Sequence, residues 1–232
     1  MKINLALISS SSWKIVLLFS LLPVCVAFAQ SAPVDVRKLA DSVDRHYNHL
    51  ASMKTDFTEV YKGGGMTRTE HGTMWLKKPG KMRWEYRTPR EKLFVSDGKT
   101  AWFYVPGEKQ ARRAKVKDLD DLRSPLAYLL GKTKLEKEFE GLSLAPDKKP
   151  EIAGDIMLRG VPKSMADRVS QVLLEITPES RIAGIYVEEL DGSSTDFRFQ
   201  NERPNVQVAD DRFRFSPPPG VETMEATEIA PQ

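Results

Sequence analysis

Two groups of residues in this chain have the types that bind phosphate or metal ions. Residues 96–100 read Ser-Asp-Gly-Lys-Thr and contain the Gly-Lys-Thr of a phosphate-binding loop. That loop needs a glycine where this chain has Leu93, and it needs a following helix where this chain has Trp-Phe-Tyr. His46 and His49 are three residues apart near Asp44, but no third ligand follows at a suitable spacing, and His71 is remote. We therefore predict neither a nucleotide site nor a metal site.

Catalytic patterns are also missing from the sequence. No Gly-x-Ser-x-Gly motif occurs, and the 32 acidic residues are scattered without a pair whose spacing indicates catalysis. The only cysteine, Cys25, lies in a segment that we expect to be removed, which excludes a thiol nucleophile. We predict a protein that is not an enzyme and that uses no cofactor.

Residues 1–29 have the features of a secretory signal peptide. Lys2 and Lys14 supply positive charge, residues 15–22 are apolar, and residues 27–29 (Ala-Phe-Ala) form a cleavage site. The alternative is lipidation of Cys25, but the preceding Pro-Val fits a lipoprotein signal poorly. We predict cleavage after residue 29 and a soluble periplasmic protein, because no later segment reaches the length of a membrane span.

The expected mature protein is one domain, residues 30–232. Removing 29 of the 232 residues leaves 203, enough to bury roughly 70% of the unfolded surface. Lys2 and Lys14 leave with the signal, so 33 basic residues face 32 acidic ones. A nearly neutral surface argues against nucleic acid as a partner.

The positioning elements follow from hydrophobic periodicity. Residues 34–50 have an apolar stripe at helical spacing, with Asp35 as a plausible N-cap. Residues 124–131 (Ser-Pro-Leu-Ala-Tyr-Leu-Leu-Gly) predict a short helix that is apolar nearly all round, which fits core packing or a lid. The remaining runs predict about ten strands: 55–61, 67–77, 81–86, 91–96, 101–105, 155–159, 170–177, 182–189, 195–201 and 212–215.

The segment 72–110 contains three of the four tryptophans in short alternating strands. Met82, Trp84 and Tyr86 point to one face of their strand, and the charged residues between them point to the other. Such a sheet has one apolar and one polar face, and its apolar face fits either a filled core or a lipid site. A sheet of this size tends to curl and cover its apolar face.

The ordered motifs resemble the outer-membrane lipoprotein carrier family, LolA. The matching motifs are D-F-T (residues 56–58), G-T-M-W-L-K-K-P (72–79), M-R-W-E-Y (82–86), V-S-D-G-K-T-A-W-F-Y (95–104) with Gln110, S-P-L-A-Y-L-L (124–130) and F-R-F-S-P-P-P-G-V (213–221). The resemblance implies an α+β fold, in which an incomplete, strongly curved antiparallel β-barrel and its helices enclose a hydrophobic cavity. It also implies a monomeric chaperone that takes lipoproteins, by their acyl chains, from an inner-membrane ABC-type transporter to an outer-membrane receptor.

On that resemblance we expect particular residues to form the acyl-chain site. The expected lining residues, with facing assigned from alternation, are Met82, Trp84, Tyr86, Leu93, Val95, Trp102 and Tyr104. The expected lid residues are Leu126, Leu129 and Leu130. The family usually has an arginine before the proline of W-x-x-x-P, where it holds the lid; here the position is Lys78, which cannot form the forked contacts of arginine.

Two alternatives remain open at this stage. A receptor or lipid-sensing protein of the same fold would share every motif above. An exported hydrolase or sugar-binding module belongs to a different class and would require one of the scattered carboxylates to act in turnover. The resemblance also leaves open whether the cargo is a lipoprotein, a glycolipid or a pigment.

Overall fold

The computed structural model describes residues 34–116 and 134–226. The predicted signal peptide and the predicted lid residues Leu126, Leu129 and Leu130 lie outside these ranges. The described helices are α1 (Val36–His49) and α2 (Leu135–Glu138). The strands are β1 (Ser52–Gly63), β2 (Met66–Lys77), β3 (Lys81–Thr88), β4 (Lys92–Ser96), β5 (Thr100–Tyr104), β6 (Gln110–Lys115), β7 (Phe139–Leu144), β8 (Ile156–Pro162), β9 (Val169–Ile176), β10 (Ile182–Glu189), β11 (Ser194–Pro204) and β12 (Glu222–Glu225).

Helix α1 forms where the apolar periodicity predicts it. The side chain of Asp35 caps it by accepting hydrogen bonds from the backbone N–H groups of Arg37 (3.0 Å) and Lys38 (3.3 Å). Its apolar stripe, which includes Val43 and Tyr47, is buried in the same cluster as residues from the sheet. The predictions of the helix and of its cap are confirmed.

All described strands belong to one sheet in the order β12-β6-β5-β4-β3-β2-β1-β11-β10-β9-β8-β7. Every neighbouring pair is antiparallel except β12 with β6, which is parallel. The sheet is not closed, since β7 and β12 form its two edges. The mostly antiparallel α+β architecture is confirmed, and the described sheet has 12 strands rather than about ten.

The structure differs from the sequence prediction in three additional strands and in one predicted strand that is a 3₁₀ helix. Strands β6, β7 and β12 form in segments for which no strand was expected. Conversely, residues 212–215 were predicted as a strand, but Asp210–Phe213 is a 3₁₀ helix. It lies in the segment 205–216, which we call the strap. The strap is held to the sheet by a backbone hydrogen bond from Asn205 to Ser52 at its start and by side-chain contacts further along. The alternation of arginine and phenylalanine there reflects these contacts.

Strand register defines two faces of the sheet. The face that carries α1 is called the inner face, and it includes Met53, Met74 and Trp84, which share one large buried cluster with the helix. The opposite, outer face carries Trp75, Arg83 and the strap. Some of the predicted lining residues lie on the inner face, and the others lie on the outer face.

Candidate functional site

The inner face presents a broad apolar surface at the centre of the sheet. Register aligns the inner residues of neighbouring strands level with one another, so their side chains form continuous rows. The central members of this surface are Met53, Phe57, Met74, Leu76, Met82, Trp84, Tyr86, Ile185, Phe197 and Phe199. Because these residues come from β1, β2, β3, β10 and β11, the surface exists only when distant parts of the chain are paired.

Trp84 lies at the centre of an aromatic group on this surface. Its ring centroid is 4.8 Å from that of Phe57 and 5.9 Å from that of Phe197, and Phe57 is 4.9 Å from Tyr86. These separations are typical of favourable aromatic contacts. The close approach depends on Gly72, which is directly opposite Phe57 and offers no side chain under the ring. The predicted residues Met82, Trp84 and Tyr86 thus share one face and are buried.

The other four predicted lining residues lie on the outer face, which corrects our assignment of facing. Register places Trp84 opposite Phe94 and Glu85 opposite Leu93, so the inner residues of β4 are Lys92, Phe94 and Ser96. The residues now assigned to the outer face are Leu93, Val95, Trp102 and Tyr104. Alternation fixes the faces within one strand, but the connection from β3 to β4 decides how the next strand is phased.

The strap covers this outer group. The ring of Phe215 lies 5.5 Å from that of Trp102 and 5.4 Å from that of Tyr104, measured between centroids. The guanidinium of Arg212 lies 3.9 Å from the ring centroid of Trp75, a cation–π geometry. Val95 is 1% exposed. The outer aromatic residues therefore hold the C-terminal part of the chain against the sheet.

Asp210 connects the strap to the turn between β2 and β3. Its carboxylate oxygens lie 2.7 Å from Lys77 Nζ and 2.6 Å from Lys81 Nζ, and these hydrogen bonds lower the pKa of Asp210 from 3.8 to about 2. A carboxyl group with a lowered native pKa stabilises the fold above its unfolded pKa and loses this effect as the pH falls through the native value.

We therefore expect the melting temperature to fall between about pH 4 and pH 2 partly because Asp210 becomes protonated. Asp210→Asn should flatten this part of the melting-temperature profile, and the measurement is thermal unfolding followed by circular dichroism across the acid range. Asp211→Asn is the matched control, because Asp211 is the neighbouring exposed carboxylate in the same 3₁₀ helix, and the ion pairs with Lys77 and Lys81 are made by Asp210. Equal flattening in both variants would contradict a specific role for Asp210.

The C-terminus of α1 is fixed to the sheet by Lys78. Its ammonium group donates hydrogen bonds to the carbonyl oxygens of Tyr47 (2.7 Å) and Asn48 (2.8 Å) in the last turn of the helix. Partial burial lowers the pKa of Lys78. A cation at this position satisfies carbonyl groups that the helix leaves unpaired and interacts favourably with the helix dipole. The lysine thus makes two contacts without the forked geometry of arginine.

Tyr47 joins the same helix to β10 and β11. Its hydroxyl accepts a hydrogen bond from the backbone N–H of Ile182 (2.9 Å) and donates one to Glu202 Oε2 (3.2 Å). The other oxygen of Glu202 lies 2.9 Å from His46 Nε2. Burial, followed by the charge of Glu202, raises the pKa of Tyr47 well above 10. Side chains from α1 are therefore tied to β11 and β10, which lie next to each other on one side of β1.

A buried polar network borders the apolar surface on the inner face. Glu59 of β1 and Glu70 of β2 are directly opposite each other and almost fully buried. The hydroxyl of Tyr86 donates to Glu59 Oε2 at 2.8 Å, and Lys92 Nζ lies 2.6 Å and 2.8 Å from the two oxygens of Glu70. Arg68 Nε lies 3.0 Å from Glu70 Oε2. Two cations thus balance two carboxylates that would otherwise repel.

Sequence reasoning missed this network. Glu59 is 5% exposed, and this burial raises the pKa of its carboxyl group. A signal was present in the alternation of β1, where Glu59 follows Met53, Thr55 and Phe57 on the inward positions. The alternation of β1 alone could have placed the carboxylate of Glu59 on the apolar face. The cation on β4 that completes the network could not be predicted, because the register between the strands was unknown.

The three histidines, which we did not predict to bind a metal, have separate partners. His46 faces Glu202, His49 Nδ1 lies 2.7 Å from the carbonyl oxygen of Arg45, and His71 Nδ1 lies 2.9 Å from Thr58 Oγ1. Within residues 34–116 and 134–226, no three His, Cys, Asp or Glu side chains are arranged to hold a metal ion. None of the helices in those ranges is both long enough and apolar enough to cross a bilayer.

Comparison with known proteins identifies the family. The protein-family model described as "Outer membrane lipoprotein carrier protein LolA" matches residues 48–216, which is more than half of the chain. This chain belongs to the LolA family. The LolA match includes every strand from β1 to β11 and the strap. LolA proteins are carriers and not enzymes, which confirms the prediction that the chain has no catalytic role.

Several curated relatives carry the name outer-membrane lipoprotein carrier protein. The one from Nitrosospira multiformis is 30% identical over 188 residues, which are 79% of this chain and 86% of the relative. The one from Sodalis glossinidius is 27% identical over 210 residues, 87% of this chain and 95% of the relative. Among solved structures, LolA superfamily protein NE2245 from Nitrosomonas europaea matches with a TM-score of 0.45 and 12% identity, over 79% of this chain and 99% of that chain.

Proposed function

We propose that this protein is a periplasmic chaperone that binds the acyl chains of lipoproteins released from the inner membrane and delivers them to an outer-membrane receptor. The apolar surface around Trp84, backed by α1, is the observation that supports this role in a chain of the LolA family. Residues 1–29 would direct export and be removed, and residues 30–232 would act as one monomeric domain.

The physical need for such a carrier follows from the cost of exposing lipid to water. Each CH₂ group in water costs about 0.8 kcal/mol, so one long acyl chain costs of the order of 10 kcal/mol. The inner face offers aromatic and sulfur-containing side chains, such as Trp84, Met74 and Met82, that can contact acyl chains. A carrier without its own energy source must also release its cargo, so binding must be weaker than binding to the receptor.

In this proposal the acyl chains contact Met82, Trp84 and Tyr86 together with inner residues that alternation did not assign, chiefly Phe57, Phe94 and Phe197. Leu126, Leu129 and Leu130 remain proposed as the lid. Lys78 would affect acyl-chain binding indirectly, by holding α1 in place, because its contacts are with the last turn of that helix. The outer group of Leu93, Val95, Trp102 and Tyr104 would serve to hold the strap.

We expect Lys78→Met to loosen the last turn of α1. Losing two hydrogen bonds from a charged donor, each worth about 1.5–3 kcal/mol, should speed amide hydrogen exchange there at least about tenfold. The measurement is hydrogen exchange at residues 46–50, with Lys78→Arg as the control that keeps the charge and should exchange more slowly than Lys78→Met. Equal exchange in native protein and Lys78→Met would show that the two contacts do not hold the helix.

The function is tested by a release assay. The full chain is expressed with its own signal, and the exported protein is purified and added to spheroplasts that synthesise new lipoproteins. We expect an outer-membrane lipoprotein in the supernatant as a soluble complex with this protein, and Trp84→Asp should abolish its release. If the folded native protein releases none, the carrier proposal fails and a lipid sensor of the same fold is favoured; N-terminal sequencing of the exported protein tests removal of residues 1–29.

A further inference from the structure

Along β1 and β2 the apolar surface of the inner face ends at the buried polar network, whereas β11 and β10 carry Phe197 and Ile185 at the same level. Along β1 the inward positions run Met53, Thr55 and Phe57, and the next is Glu59. Along β2 the corresponding step is from Gly72 to Glu70. The change from apolar to charged therefore occurs within one inward position on two neighbouring strands, at the same level of the sheet.

The network lies at the opposite end of these strands from Lys78 and the end of α1. Lys78 follows β2 and holds the C-terminus of α1, whereas Glu70 is seven residues earlier than Lys77, toward the hairpin that joins β1 and β2. Over β1 and β2 the apolar surface thus lies between the C-terminus of α1 at one end and the network at the other. From Met53 to Glu59 the distance along β1 is about 20 Å, at about 3.3 Å per residue.

The network has no capacity to accept an acyl chain. Both oxygens of Glu70 are engaged by Lys92, one oxygen of Glu59 accepts from Tyr86, and these three side chains are more than nine-tenths buried with Glu59. An acyl chain that entered between them would separate buried charges and provide no hydrogen bonds in return. Contact with the network would therefore oppose further insertion.

We propose that Glu59, Glu70, Tyr86 and Lys92 form an end wall that limits the length of the acyl chain this protein can bury. The inference rests on the proposed function, because it concerns acyl chains bound on the inner face. In this arrangement the chain lies along the strands with its methyl end toward the network. Affinity rises with chain length until the methyl end reaches the wall, and additional methylene groups then stay outside the site.

The test uses a series of synthetic triacylated lipopeptides that differ only in acyl-chain length. Burial of each methylene group raises affinity about fourfold, so the native protein should gain about that factor per CH₂ and then level off. In Glu70→Leu/Lys92→Met, which replaces the ion pair by apolar side chains of similar size, affinity should continue to rise beyond that length. The matched control is Arg90→Met/Glu108→Leu, which removes an exposed ion pair on the strands' connections and should keep the native profile.

The outcomes separate the two proposals. If the native protein binds none of the lipopeptides, the proposed function is wrong, and the end-wall proposal, which depends on it, is wrong as well. If the native protein binds them but its length profile matches that of Glu70→Leu/Lys92→Met, the function stands and the end wall is wrong. A profile without a plateau in the native protein also overturns it.

A second measurement does not depend on the folding of a variant. Lipopeptides with a photoreactive group at the methyl end of the acyl chain are bound to the native protein, irradiated and mapped by mass spectrometry. We expect the cross-links on the ring of Tyr86 and on the residues beside the network, chiefly Phe57 and Phe197. Cross-links that fall only on α1 or on Met53 would overturn the proposed direction of the chain.

Discussion

Lys92→Met alone should lower the free energy of unfolding by about 3 kcal/mol or more, because removing one partner of a buried ion pair leaves a buried charge without compensation. The partner is Glu70, which is 1% exposed and has an oxygen 2.6 Å from Lys92 Nζ. Arg68 remains 3.0 Å from Glu70, which places the expected loss at the lower end of the range of about 3–5 kcal/mol. The measurement is equilibrium unfolding in urea at neutral pH.

Two further variants test whether the loss of stability comes from the unpaired buried charge. Glu70→Leu/Lys92→Met should lie within about 1 kcal/mol of the native protein or exceed it, since apolar pairs often replace buried ion pairs without loss. Arg90→Met removes a cation from the exposed pair with Glu108 and should cost less than about 1 kcal/mol. If Lys92→Met costs no more than Arg90→Met, water reaches the network and it cannot bound an apolar site.

Gly72→Ala is expected to destabilise the protein by about 3 kcal/mol, the upper part of the range for overpacking a core. A Cβ atom at this position would lie 2.2 Å from the carbonyl oxygen of Glu85 and 2.6 Å from Cζ of Phe57. The first neighbour is backbone and cannot rotate away, so β2 and β3 must separate, and Phe57 must also move. For a domain of this size the melting temperature should fall by about 6–12 °C.

The control for this prediction is Gly64→Ala in the turn between β1 and β2. Its Cβ atom would meet no atom within 4 Å, but the residue has a φ of +57°, so it should cost only the left-handed strain of about 1–2 kcal/mol. Tryptophan fluorescence gives a second readout, because movement of Phe57 changes the surroundings of Trp84. Equal losses in the two variants would mean that Phe57 and the strands accommodate the methyl group easily.

The sequence was sufficient to predict the elements whose residues carry their own pattern. Helix α1 has both its apolar stripe and Asp35, and the hairpin between β4 and β5 has Asp97, whose Oδ1 accepts from the backbone N–H groups of Lys99 and Thr100 at 2.8 Å. Such signals are local and need no knowledge of distant partners. The faces of Met82, Trp84 and Tyr86 followed from parity within one strand.

The features that could not be predicted from the sequence depend on strand and side-chain partners that are distant along the chain. Strand β12 reads Glu-Thr-Met-Glu, has no alternation, and forms because its backbone pairs with β6 more than a hundred residues earlier. The phase between β3 and β4 depends on the geometry of their connection, so Leu93 and Val95 were assigned to the wrong face. The partnership of Glu70 with Lys92 depends on both registers together.

The open sheet has a consequence for how copies of this protein meet one another. An unpaired strand edge is a template for another chain, and within the described residues this sheet ends at two strands, β12 and β7. At one edge, β12 is only four residues long, with Glu222 and Glu225 at its ends and Arg113 bound to Glu225. At the other, β7 is interrupted by a register shift next to Gly141, whose φ is +64°. Each edge therefore discourages strand addition by a second copy, so the sheet can stay open without becoming a site of aggregation.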